Sequence, residues 1–112
     1  MEAASGPVYD VPVVFSPAEA EFLRSQRLCR LATVGPTGWP HVVPVMYAFT
    51  EDGAFEFDAD GVKLRNITAE PRCALVVDGS GPKRGVTVQG RAEVIGHERA
   101  RLVPARKFSW GL

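Results

Sequence analysis

The chain has 112 residues, the size of one domain with one modest core, and its 13 lysines and arginines balance 13 aspartates and glutamates. No net field draws such a chain to nucleic acid or to an anionic membrane, and no apolar run approaches spanning length, so neither is expected as a partner. Any anion site has to be local.

Residues 1–14 lack a basic segment leading into a continuous apolar block, and with Gly6, Pro7 and Pro12 they read as a flexible leader rather than a secretory signal. The folded domain is expected over residues 15–112. Ser16-Pro17-Ala18-Glu19 is a helix start: Ser16 caps, Pro17 suits the first helical position, Glu19 completes a capping box, and Phe15 stands ready as a staple. That helix is expected to run to about Ser25. Strands follow over Leu28–Val34 and Pro40–Phe49, joined by the turn Gly35-Pro36-Thr37-Gly38. Glu51-Asp52-Gly53 turns the chain into a short strand, Ala54–Phe57.

Asp58-Ala59-Asp60-Gly61 breaks the pattern, and Val62–Glu70 reads as a short helix ended by Pro71. Cys73–Val77 is a continuous apolar strand, and Asp78-Gly79-Ser80-Gly81-Pro82 a loop. Arg84–Ile95 alternates, with Val86, Val88, Gly90, Ala92 and Val94 on one face. Arg101–Val103 and Lys107–Trp110 read as two short extended pieces around Pro104. Six strands with short turns and two short helices predict a mainly β fold, a mainly antiparallel β-barrel, with an open sheet packed on helices as the alternative.

The second strand is unusual. Val42, Val43, Val45 and Met46 are apolar on both faces, whereas a strand with one wet face alternates. Pro44 cannot donate a ladder hydrogen bond and places the strand at an edge or a bulge. An apolar edge of this kind needs a partner chain or a ligand to cover it.

Nothing local supplies hydrolytic chemistry. His41 and His97 lack metal-ligand spacing and a carboxylate to orient them; His41 reads as a rim residue and His97 as solvated. Cys29 and Cys73 sit in strand-like runs with no C-x-x-C pair, which fits buried thiols in a reducing cytoplasm. If the chain is an enzyme, a cofactor carries the reactive group. Lys63 and Asn66 lie three apart, on one face of the second helix near its N-terminus, where a phosphate is favoured. The competing reading pairs Lys63 with Asp58, Asp60 or Asp78. Trp39 sits in an exposed turn, and Arg84, Gln89 and Arg91 share the polar face of one strand.

Arg30-Leu31-Ala32-Thr33-Val34 followed by Gly35-Pro36-Thr37-Gly38-Trp39-Pro40-His41-Val42-Val43-Pro44-Val45 resembles the first hairpin of the pyridoxamine-phosphate-oxidase-like flavin-binding split barrels. Lys63-Leu64-Arg65-Asn66-Ile67 and Pro71–Asp78 resemble that family's phosphate-side helix and next strand. Arg84–Val94 and Ser109-Trp110-Gly111-Leu112 are similar to its small branch that uses the deazaflavin coenzyme F-420. The resemblance implies a homodimer of six-stranded split barrels with a cofactor, F-420 or FMN, at the subunit interface. By position, Lys63 and Asn66 would hold the cofactor phosphate, with Arg65 as helper. Thr33, Pro44 and Val45 would line the wall beside the ring, and Gln89 and Trp110 would close the pocket or reach in from the other subunit. Tyr47 and Ala48 stand where the family often has a basic residue. The implied activity is hydride transfer with a small conjugated substrate; a carrier or sensor without turnover, and a cofactor-free dimer, are the alternatives.

Overall fold

In the computed structural model, which describes residues 13–112, Ser16 opens helix α1 (Pro17–Ser25) with a complete capping box. The Ser16 hydroxyl accepts from the Glu19 N–H at 3.1 Å, and the Glu19 carboxylate accepts from the Ser16 N–H at 2.8 Å. Phe15 packs edge-on against Phe49 and Phe55, with centroids 5.3 and 6.2 Å away, and so seats the helix on the sheet. The leader expected over residues 1–14 lies, apart from Val13 and Val14, outside the described residues.

The strands are β1 (Leu28–Val34), β2 (Pro40–Phe49), β3 (Phe55–Asp58), β4 (Arg72–Val77), β5 (Gly85–Gly96) and β6 (Arg99–Trp110), with α2 (Gly61–Ala69) between β3 and β4. They close into an antiparallel barrel in the order β1-β2-β3-β6-β5-β4. The expected mainly β barrel of six antiparallel strands and two short helices is the fold observed; the open sheet is not. Period-two alternation sends Cys29, Leu31, Tyr47, Phe55, Phe57, Leu75, Val77, Val86, Val88 and Leu102 into one core. Each large side chain so buried stabilises the fold by roughly 1.5–3 kcal/mol. The Tyr47 hydroxyl donates to the Leu23 carbonyl at 2.7 Å, which satisfies its buried polar tip.

Two expectations change. Residues 99–110 form one strand, not two pieces around Pro104. The pairing of β5 with β6 shifts between Gln89↔Arg106 and Gly90↔Pro104, leaving Ala105 as the extra residue of a bulge. A bulge tolerates the missing proline N–H, and glycine opposite makes room for it. A Cβ on Gly90 would overlap the Val103 carbonyl oxygen and sit 2.9 Å from Leu102 Cδ2. Val94, expected on the inward face, is exposed, because β5 loses β4 as a neighbour beyond Arg91.

The far end of β6 is tied to α1. Glu19 is buried and accepts hydrogen bonds from Lys107 Nζ and Ser109 Oγ. Burial alone would raise its carboxyl, but the bonds from Lys107, Ser109 and the Ser16 backbone outweigh it and hold the group at about 2. The capping residue of one helix thus also anchors the last strand.

Candidate functional site

β2 pairs with β1 from Pro40 to Met46 but with β3 only from Tyr47 to Phe49, so its first half has a free edge. Pro44 lies in that half. Its neighbours on the outer face, Val42 and Met46, are 61 % and 63 % exposed, while Val45 points into the core opposite Cys29. The two apolar faces of β2 therefore have different fates. One is filled by the barrel, and the other is bare in the single chain.

The same outer face continues across the sheet. Val42, Ala32, Ala74, Gln89 and Arg106 form one cross-strand row through β2, β1, β4, β5 and β6. An open cavity of about 550 Å³ lies over this row, floored by Ala32, Ala74 and Ala105 and edged by Thr33, Val34, Pro40, Gln89, Arg72, Arg91 and Arg106. Alanines at the middle positions leave the sheet surface low and flat there. Arg72 is engaged: it grips Glu70 with Nε at 3.0 Å and Nη2 at 2.7 Å, which lowers the Glu70 carboxyl to about 2. Cys73 also borders the cavity, but burial pushes its thiol up to about 12; burial, with Cys73 close by, does the same to Cys29. Neither is a nucleophile near neutral pH.

Helix α2 stands beside the cavity and begins without a side-chain cap. Asp60 occupies the capping position but makes no bond to the backbone; it accepts instead from Lys63 Nζ at 3.0 Å. Gly61, at φ +55°, turns the chain into the helix, a conformation glycine adopts at little cost. The first turn carries no acidic residue and its N–H groups lack a side-chain acceptor, while the charge of Lys63 is balanced by Asp60. Asn66 lies one turn on and is buried; its Nδ2 donates to Thr33 Oγ1 at 3.0 Å. That bond holds α2 against the end of β1, and Thr33 is shared by the bond and the cavity wall.

The sequence candidates thus fall into three places. Thr33 and Gln89 border the cavity, and Asn66 reaches it through Thr33. Lys63 belongs to the first turn of α2, and the exposed Arg65 stands at the middle of that helix. Pro44 sits on the bare outer face, and Val45 offers that face only its backbone. Trp110 lies apart: its ring rests on Gly85, its Nε1 donates to the Pro82 carbonyl at 2.8 Å, and it stacks on Phe108. His41, across from Thr33 at the rim, has an enclosed Nδ1 with no hydrogen-bond partner among the described residues. Arg84, read as part of a strand's polar face, stacks its guanidinium 5.0 Å from the Phe22 ring centre.

Residues 15–109 match the family model described as pyridoxamine 5'-phosphate oxidase. The chain belongs to the pyridoxamine 5'-phosphate oxidase family. A curated relative from Streptomyces rimosus, a 5a,11a-dehydrotetracycline/5a,11a-dehydrooxytetracycline reductase, is 34 % identical over 119 residues, covering 88 % of this chain and 84 % of its own. A conserved hypothetical protein of Mycobacterium tuberculosis superposes with a TM-score of 0.71 at 27 % identity, over 89 % of this chain and 87 % of its own. An F420 reductase superposes with a TM-score of 0.69 at 22 % identity, over 84 % and 98 %, a likeness of fold. No group of three or more histidine, cysteine, aspartate and glutamate side chains is placed to hold a metal ion among the described residues. No helix in them is long and apolar enough to cross a membrane.

In this family member the sequence reading missed Arg106 and Ala105. The signal was present but indirect: Pro104 inside a run of strand character, opposite a glycine, marks a bulge. A bulge sends two successive side chains to one face, and both residues border the cavity.

Proposed function

We propose that the protein is a homodimeric oxidoreductase that binds coenzyme F-420, or FMN, against the outer face of the barrel and moves hydride to or from a small conjugated substrate. The observation that carries this reading is the uncapped, acid-free first turn of α2, with Lys63 beside it and Asn66 clamping it to Thr33 at the cavity wall. Free N–H donors, a lysine and a glycine turn suit a phosphate, and Asp60 is the group Lys63 would exchange for it. Lys63 binds, Arg65 assists from the same helix, and Asn66 with Thr33 positions the turn. The bound cofactor supplies the hydride chemistry, so the chain has to bind, orient and exclude water.

The bare face formed by Leu28, Val42, Pro44 and Met46, with Phe108 further round, supports a second copy as its cover. Pro44 and the free edge of β2 then border the cofactor, and Gln89 and Trp110 are the groups able to approach it from the partner. The name of the Streptomyces relative, a reductase, favours turnover over a carrier role.

Titration with F-420 and with FMN, each against wild type and Lys63→Ala, tests the reading. Lys63→Ala should weaken cofactor binding at least about tenfold and leave the melting temperature nearly unchanged. Unchanged affinity removes the phosphate assignment. Tight FMN binding with no F-420 binding reverses the preference between the two.

A further inference from the structure

We propose that Arg106, assisted by Arg91, is the recognition point for an acidic group on a flat, fused-ring substrate lying across Ala32 and Ala74. This deepens the oxidoreductase reading and rests on it for the cavity being the substrate side of the site. Three observations carry it. Arg106 and Arg91 border the cavity, and neither forms an ion pair among the described residues, whereas Arg72, Arg30, Arg99 and Arg101 each hold a carboxylate. Arg91 stands near enough to Glu70 to help lower its carboxyl, but Arg72 occupies both of its oxygens.

The backbone aims Arg106. The bulge at Ala105 turns that residue and Arg106 to the same face, and Gly90 is the residue whose missing side chain permits it. Without the bulge, period-two alternation would put only one of the two there.

The apolar part of the floor is one inter-strand step, Ala32 opposite Ala74, and the row beyond it is polar. From Ala32 to Arg106 is three inter-strand steps, roughly 14 Å at strand spacing. Two directly opposed alanines in that span leave a smooth apolar strip for a ring face, with Gln89 beyond them and the guanidinium at the end. A planar fork at the edge of a flat apolar floor matches a carboxylate or an enolate carried in the plane of the rings.

Equilibrium fluorescence titration with anthracene-2-carboxylate and its neutral isostere anthracene-2-carboxamide tests this on the whole protein, with and without F-420 or FMN. The wild type should bind the acid about tenfold or more tightly than the amide. Arg106→Gln should abolish that preference and Arg91→Gln reduce it, with cofactor affinity and melting temperature unchanged; Arg106→Lys should restore part of it. Lys63→Ala should leave the preference intact while cofactor affinity falls, which separates this subsite from the phosphate assignment. Acid preference in a protein that binds neither coenzyme would sustain the subsite and refute the oxidoreductase reading. Equal binding of acid and amide by the wild type overturns the proposal, as does a preference that survives in the Arg91→Gln/Arg106→Gln double variant. Loss of F-420 affinity alone in Arg106→Gln also overturns it, since the arginine would then serve the coenzyme's acidic tail.

Discussion

The Asn66 amide donates to the Thr33 hydroxyl at 3.0 Å, a buried bond between residues 33 apart that fixes α2 to β1 where the barrel wall meets the cavity. Asn66→Ala should destabilise the protein by about 1–3 kcal/mol, because it leaves the Thr33 hydroxyl unpaired away from water. Thr33→Val should cost a similar amount by stranding the amide. The double substitution should cost less than the sum, as a double-mutant cycle on urea unfolding would show. Hydrogen exchange should locate the loss in α2 first, and additive costs would contradict the bond.

Gly90 faces the bulge. Gly90→Ala places a methyl group against the Val103 carbonyl and Leu102, and backbone cannot yield as a side-chain tip does. Calorimetry should register roughly 2–3 kcal/mol of destabilisation. The acid preference of the cavity should fall with it, since the bulge orients Arg106.

Glu19 makes stability depend on acid. Its folded value of about 2 lies below the ordinary 4.5, so the fold favours the ionised form. The contribution is full above about pH 4.5 and is lost as pH falls towards 2, of the order of 2 kcal/mol. Glu19→Gln should lower the melting temperature at pH 7 and flatten the profile between pH 4.5 and 2. Parallel wild-type and variant profiles across that window would refute the assignment.

The thiols of Cys29 and Cys73, raised to about 12 by burial, should resist a thiol reagent in the native protein at pH 8 and react fully in denaturant. Fast native labelling at Cys73 would show that the cavity floor opens.

The outer face of β2 makes the oligomer testable. Met46→Asp and Val42→Asp, at side chains that are exposed in the single chain, should leave the monomer's fold intact and shift sedimentation from dimer to monomer. Cofactor affinity should fall in parallel if the interface borders the site.

Much of this was legible in local chemistry. The capping box at Ser16 and Glu19, the alternation of β5, the glycine turns and the apolar run of β4 carry short-range rules, and they located seven of the eight elements of secondary structure. Pro104 misled, because local propensity ends a strand at proline, while pairing with Gly90 across a bulge keeps it in the sheet. The candidate site was legible in part for the same reason. Residues three apart on one helix, Lys63 and Asn66, are neighbours by helical geometry, whatever surrounds them.

Their separate roles depend on contacts that spacing does not encode. Asn66 turns inward to Thr33, Lys63 meets Asp60, and Glu19 keeps its cap while also holding Lys107 from 88 residues away. Arg106 stood unnoticed among surface charges until closure of the barrel aligned it with Gln89, Ala74 and Ala32. Periodicity along one strand tells which face a side chain takes; only the register between strands tells what lies beside it. The elements and the apolar hairpin were thus a property of the chain, and the cavity a property of how its strands meet.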